Sequence, residues 1–450
     1  MNAHLSWYGI AVGSVLLLKL LMSIPLRRSR PPTVFRDGPP LAVHAIITVY
    51  NETPAMLRRC LESLYEQTRR PGSVTVIDDC SRTRDAADVA EAMAARFALA
   101  GVPLNVIRFP ENRGKRHGLA AGFQDRPQAD AYLCVDSDTV LEPTAVAELL
   151  KPMSRRRVHC VTGLVLAHNR AVNLLTRLID MRYVNSFLGE RVAYSRLGSV
   201  LCACGSLAVY RGWVVRKHLD DFLTQRFLGR PATFGDDRRL TYYCLTEGQS
   251  LIQPAAIGRT DVPERLGHYI RQQIRWGKSF IREGTLLALR WRMAHRICWW
   301  LNLAELAMWA GFTAGLLTAI TITVLNPGGW LFFAAYGAWI CAMAWLRSLH
   351  YLRAAPGVPI ADRLLTFACA PLYALLNLFL LLPLRLWSLA TLRRNNWGTR
   401  QHVELTREQP AVALEEDTVE TPLPDNETTQ PIPIPGQRKA WTPTHEGQAR

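Results

Sequence analysis

No CxxC pair occurs in this chain, and its ten cysteines are scattered. Cys202 and Cys204 are close, but no second Cys/His pair follows at the spacing of a zinc site. That pattern speaks against a structural zinc and against a disulfide framework. It reads as reduced thiols in a cytosolic domain. No nucleic-acid-binding motif is present either, although the formal net charge is +16. Acidic residues are the scarcer sign, 37 against 53 Lys and Arg, and much of the basic excess sits beside apolar runs. Arg27, Arg28 and Arg30 follow the first such run; Arg290, Arg292 and Arg296 precede the second; Arg347, Arg353, Arg393 and Arg394 flank later ones. This is the placement expected of cytosolic loops in a membrane protein, not of a nucleic-acid face. The first apolar run does not read as a cleavable leader. A signal peptide carries its charge before the apolar core, and here the charge comes after Trp7–Ile24. That segment reads as a retained anchor with the following domain in the cytosol, Lys19 reaching for the interface.

What is present, from Leu41 to about Gly258, is an alternation of short apolar runs with helical stretches. Leu41–Val49, Ser73–Ile77, Leu104–Arg108 and Ala131–Val135 read as strands, with helices expected over 54–67, 84–99 and 114–123. Such a βαβ rhythm predicts an α/β, Rossmann-like, mainly parallel sheet with ligands at the carboxyl ends of its strands. Three of the four strands end in polar clusters: Tyr50-Asn51-Glu52, Asp78-Asp79-Cys80-Ser81 and Asp136-Ser137-Asp138-Thr139. Farther on, Ile297–Leu325 and Trp330–Leu346 are long enough to cross a bilayer, after an Arg-rich interfacial stretch over 281–296. Leu364–Leu389, broken by Pro371 and Pro383, reads as a re-entrant or interfacial hairpin. From Gln401 the chain is rich in Pro, Thr, Gln and Glu without apolar periodicity, and it is expected to be disordered.

Each cluster has a chemical reading and a plainer one. Two carboxylates one residue apart at a strand end, Asp136 and Asp138, can present a divalent cation to a diphosphate; alone, they are equally a capped turn. Asp79 suits the ribose or base of a nucleotide, or else a solvated loop. Asn112-Arg113-Gly114-Lys115-Arg116 offers open backbone and cations to phosphates, or is a basic surface loop. Gly235-Asp236-Asp237-Arg238 supplies a candidate general base, Asp237, against an Asp–Arg ion pair at a helix start. Gln272, Arg275 and Trp276 share one helical face, where an indole can seat a sugar ring. The plainer reading of that face is a membrane-proximal amphipathic helix.

In order, these motifs resemble the processive family-2 glycosyltransferases, most closely the hyaluronan synthases. The same likeness extends through Leu174–Tyr183, Cys204–Arg211 and Trp397-Gly398-Thr399-Arg400, and so over roughly residues 40–400. The resemblance implies a GT-A domain over 41–280, on the cytosolic face of the cell membrane. It implies an anchor and basic linker over 1–40, membrane segments and a gating loop over 281–400, and a tail over 401–450. It implies UDP-sugar donors, Mg²⁺ or Mn²⁺, a growing polysaccharide and membrane lipid as partners, and no nucleic acid. Tyr50, Glu52, Asp79, Lys115, Arg116 and Asp136 would lie at the donor, and Asp138 would ligate the metal. Asp237, with Asp236 beside it, would act at the acceptor hydroxyl. Cys204, Gly205, Gln272, Arg275 and Trp276 would hold the acceptor, with Trp397 and Arg400 in the gating loop.

The chain departs from that family in having one N-terminal membrane segment where two are usual, and Cys204-Gly205-Ser206 where Ser-Gly-Pro is usual. The choice between a two-sugar hyaluronan synthase and a single-sugar, chitin-type N-acetylglucosamine synthase therefore stays open. An inactive membrane scaffold is the reading from another class, and the full set of carboxylates argues against it.

Overall fold

The computed structural model describes residues 2–24, 41–232, 234–289, 296–325 and 329–393. Ten strands occur in it: β1 Val43–Val49, β2 Ser73–Asp78, β3 Leu104–Arg108, β4 Ala131–Asp136 and β5 Val140–Leu141; then β6 Val158–Ala167, β7 Leu207–Arg211, β8 Arg226–Phe227, β9 Arg230–Pro231 and β10 Gln249–Thr260. Eight form one sheet in the order β3-β2-β1-β4-β7-β6-β10-β5. The strands β3, β2, β1 and β4 are mutually parallel, as are β6 and β10. β7 runs antiparallel between β4 and β6.

The four strands and three helices expected from the sequence all form, within a few residues at their ends. Every residue of β1 is buried, which is why it reads as a mainly apolar run, interrupted only by His44 and Thr48, and not as an alternating one. Full burial of each Ile or Val contributes about 1.5–3 kcal/mol. The helix Pro54–Tyr65 starts at Thr53, whose hydroxyl accepts from the Met56 N–H, with proline in the first turn where its missing N–H costs nothing.

This topology decides where the chemistry gathers. The parallel strands β1, β2 and β4 deliver their polar clusters to one edge. Because β7 is antiparallel to β4, pairing Val135 with Leu207, the residues before β7 arrive at that same edge. The short β5 pairs antiparallel with the end of β10 and brings Thr260 there too.

The membrane-proximal half differs from the sequence expectation at three places. Among the described residues, two helical stretches are long and apolar enough to cross a bilayer, Ile297–Leu325 and Ala370–Ala390. The latter is one helical stretch of about 30 Å at 1.5 Å per residue with no reversal within 370–390, and a break at Cys369 separates it from the helix Ile360–Ala368. Pro371 sits in a first helical turn, and Pro383 follows a π-helical stretch over Asn377–Leu381 that absorbs its missing hydrogen bond. Trp330–Leu346 belongs to the longer helix Gly329–Ala354, whose last third carries Arg347, Ser348, His350 and Arg353. Arg347 pairs with Glu190 of the α/β half. The N-terminal helix Asn2–Ser23 covers the expected anchor Trp7–Ile24 to within a residue at its end. Lys19 does not snorkel: it pairs with Glu305 at 2.6 Å and lies over the Tyr194 ring. This helix is thereby fastened to both the long apolar helix and the α/β half.

Candidate active site

The loops after β1 and β2 are locked to each other before any ligand is considered. Asn51 and Cys80 both adopt positive φ (53° and 61°), a conformation Asn tolerates and Cys rarely does. The Asn51 N–H donates to Ser81 Oγ at 2.9 Å, and its side-chain oxygen accepts the Arg82 N–H at 2.8 Å. Asp79 then fixes the basic loop: its two carboxylate oxygens accept the N–H groups of Arg113 (2.7 Å) and Gly114 (2.8 Å). A carboxylate held by two backbone donors is a strong clamp. Asp79 therefore sets the position from which the next helix, Lys115–Asp125, begins.

Lys115 reaches from that helix start to the Asp136 carboxylate at the end of β4, whose other oxygen accepts from Ser206 Oγ at 2.7 Å. Gly205, one residue earlier, lies between Lys115 and Asp237. A Cβ there would stand 3.7 Å from Lys115 Nζ and 3.6 Å from Asp237 Cβ. Lys115, Asp136, Gly205 and Asp237 are thus one constellation, drawn from four separate motifs. Asp138 adjoins it and accepts from Thr260 Oγ1 at 3.0 Å. Burial, with Asp136 and Glu52 as like-charged neighbours, pushes the Asp138 carboxyl up to about 8. A buried carboxylate repelled by two others is a fit place for a divalent cation, although no preformed cluster of three or more His, Cys, Asp or Glu ligands occurs among the described residues. Tyr50 sits partly buried just past β1.

The two aspartates at the start of the helix Asp236–Glu247 have separate fates. Asp236 is buried and pairs with Arg116 Nε at 2.7 Å; the same guanidinium donates to the Ala232 carbonyl. Arg116, expected at the phosphates, and Asp236, expected at the chemistry, therefore hold each other, and they act on the site by positioning. Asp237 takes the next position on the helix. Its carboxyl is pushed above the ordinary carboxylate range by burial, with Arg238 and Lys115 opposing, which suits a base working near neutrality.

The glycine before this pair is required twice over. Gly235 has φ 93°, and a Cβ there would come within 2.5 Å of Ser279 Oγ. Ser279 belongs to the helix Leu266–Leu289, so the catalytic loop rests directly on the helix that carries Gln272, Arg275 and Trp276. Gly235→Ala is expected to displace Asp237 and to lower turnover by about 10²-fold, the cost of a misplacement near 1 Å. The check is kcat against wild type, with UDP binding as the control for folding.

Trp276 is 40% exposed, its ring 6.3 Å from Tyr183 and 5.2 Å from the Arg182 guanidinium. Tyr183 in turn lies within electrostatic range of Cys204 and Asp138, tying this aromatic face to the donor end. Gln272 and Arg275 are partly buried on the same helix. Tyr183 and Arg182 carry no distinguishing sequence signal beyond standing in the Leu174–Tyr183 motif, Ser206 stands out only as a departure within the Cys204–Arg211 motif, and Thr260 carries no signal. Trp397 and Arg400 lie outside the described residues.

Comparison with known proteins follows from this geometry. The sequence pattern of glycosyl transferase family 2 matches residues 44–219, and that of glycosyl transferase family group 2 matches residues 132–382. A hyaluronan synthase of Streptococcus pyogenes serotype M3 is 35% identical over 411 residues, 88% of this chain and 91% of that one. The chain belongs to glycosyltransferase family 2. This glycosyltransferase is also similar to an N-acetylglucosaminyltransferase of Mesorhizobium japonicum, 35% identical over 84% of the chain and 85% of that relative. One from Rhizobium leguminosarum bv. viciae is 36% identical over 83% and 85%. In structure it is similar to the mannosyltransferase PcManGT of Pyrobaculum calidifontis in complex with GDP-Man and Mn²⁺, with a TM-score of 0.53 and 19% identity over 82% of this chain and 99% of that one. The fold is GT-A.

Proposed function

We propose that this glycosyltransferase is a membrane-embedded, processive, inverting synthase. It polymerises UDP-N-acetylglucosamine and UDP-glucuronate into hyaluronan and passes the product through its own membrane helices. The observation that carries this reading is the meeting of Lys115, Asp136, Gly205 and Asp237 at one sheet edge, with Trp276 and Tyr183 beside it. Asp237 takes the proton from the acceptor hydroxyl as that oxygen attacks the anomeric carbon from the face opposite the departing UDP. Lys115 lies at the leaving-group side, and the loop that Asp79 clamps places it there. Tyr50, Glu52 and Asp136 line the donor, while Asp138 holds a divalent cation, Mg²⁺ or Mn²⁺. When bound, that cation neutralises the leaving diphosphate. Cys204 and Gly205 border the acceptor sugar, which Gln272, Arg275 and Trp276 seat. The catalytic domain, residues 41–280, lies at the cytosolic face, and the apolar helices beyond it are the membrane part.

The N-acetylglucosaminyltransferase relatives support a second reading, a chitin-type synthase using one donor. Membranes containing the full chain distinguish the two. Incubation with UDP-N-acetylglucosamine and UDP-glucuronate together is expected to give high-mass, hyaluronidase-sensitive polymer, and either donor alone none. Chitinase-sensitive product from UDP-N-acetylglucosamine alone overturns the first reading in favour of the second.

A further inference from the structure

Two arginines beside the Trp276 platform, Arg182 and Arg385, form no ion pair among the described residues. The acids whose field reaches them, Glu190 and Glu305, are committed to Arg347 and to Lys19 and Tyr194. Arg182, on the helix Leu174–Val184, donates from one terminal nitrogen to Gln273 Oε1 (2.9 Å) and to the Tyr269 hydroxyl (3.3 Å). Its remaining N–H groups meet no protein acceptor among the described residues, yet the residue is partly exposed. Glu190, whose field reaches it, is committed to Arg347. Arg385 stands on the helix Leu382–Ala390, inside a stretch apolar enough to cross a bilayer, and makes no ion pair or hydrogen bond among the described residues. On that helix it shares a face with Leu381 and Ser388. Leu381 packs with Tyr269, and Ser388 Oγ meets the Ile274 carbonyl at 3.3 Å and would touch a Cβ on Gly277. Arg385 thus approaches the platform helix from the membrane side, within electrostatic reach of Arg182 and Tyr373.

Charges of one sign held together without a counterion in apolar surroundings are costly, and they are kept where something anionic visits them. The planar guanidinium fork matches a carboxylate with two parallel hydrogen bonds. The neighbouring indole offers a face to a pyranose ring. We propose that Arg182 and Arg385 form a carboxylate clamp for the uronate units of an acidic polysaccharide acceptor. The clamp rests on the reading of Trp276 as the acceptor platform. It supplies a physical preference for a polyanionic chain, since a neutral polymer passing here leaves both guanidiniums unpaired.

The test uses the full chain in lipid nanodiscs with two oligosaccharide probes, a hyaluronan tetrasaccharide and the neutral chitotetraose. UDP affinity, measured alongside, is the control for folding. Wild type is expected to prefer the acidic probe. Arg385→Gln and Arg182→Gln are each expected to weaken it about tenfold, the loss of a charged hydrogen bond. Chitotetraose should stay within twofold, and Arg182→Lys should recover part of the loss. Trp276→Ala should weaken both probes. Equal binding of the two probes by wild type, or unchanged acidic binding in both Gln variants, overturns the clamp while the platform stands. If Trp276→Ala alters neither probe, the platform reading fails and the clamp falls with it.

Discussion

Asp237→Asn is expected to reduce sugar transfer by about 10³-fold while leaving UDP affinity near wild type, because a positioned general base contributes about 10²–10⁴ in rate. Asn keeps the shape and can still accept the Arg238 N–H that Asp237 accepts at 2.8 Å. The helix start survives, and only the proton acceptor is lost. The pH dependence follows from the same environment. Burial raises the Asp237 carboxyl above its ordinary value, so its active, ionised form is reached at higher pH than that of an exposed aspartate. Transfer in the wild type should therefore rise with pH through a point higher than that of an exposed aspartate. The sign for stability is the opposite. A raised folded-state pKa means the native protein holds the proton longer than the unfolded chain. Stability is then lost as pH rises through the folded value. Asp237→Asn removes that loss and should unfold at a higher temperature than wild type at neutral pH. Retention of more than about a tenth of wild-type transfer would remove Asp237 from the role of base.

The division between what the sequence disclosed and what it withheld is physical. β1, β2 and β4 were legible because strands buried on both faces are mainly apolar, so the runs of polar residues at their ends stand out. The helices between them announced themselves by spacing and by Thr53-Pro54. Pairings between distant segments left no such mark. Nothing in Arg116 or Asp236 taken singly says that they bind each other across 120 positions, yet this pair decides that Asp237 alone points to chemistry. Lys115 reads as a phosphate ligand, and only the fold shows that it also holds Asp136. The insertion of β7 antiparallel to β4 brings Ser206 to that same carboxylate, and strand order is not written in local periodicity. The two prolines of the membrane half differ. Pro371 does mark a break, since a new helix begins at Ala370 after Cys369, whereas Pro383 follows a π-helical stretch and the helix continues through it.

Asp138→Asn should remove the dependence on divalent cation along with the activity. The argument begins with the neighbours. Asp136 is taken up by Lys115 and Ser206, whereas Asp138 has only the hydroxyls of Thr139 and Thr260. Of the two aspartates at the end of β4, Asp138 is the one left to face a hard cation. The chemistry such an ion supplies to a leaving diphosphate is worth several kcal/mol, so transfer is expected to fall by about 10³-fold. Chelation with EDTA should reproduce that loss in the wild type and should change nothing further in Asp138→Asn. Mn²⁺ binding in the presence of UDP, followed by electron paramagnetic resonance, gives a readout independent of turnover. Tight binding is expected in wild type and a large weakening in Asp138→Asn. Asp136→Asn should weaken it less, since its main partner is Lys115. The substitution removes a charge that burial, Asp136 and Glu52 all disfavour, so the variant should fold and be at least as stable as wild type in EDTA. Undiminished Mn²⁺ binding by Asp138→Asn would move the metal elsewhere along this sheet edge and leave Asp138 a structural residue that caps β10 through Thr260.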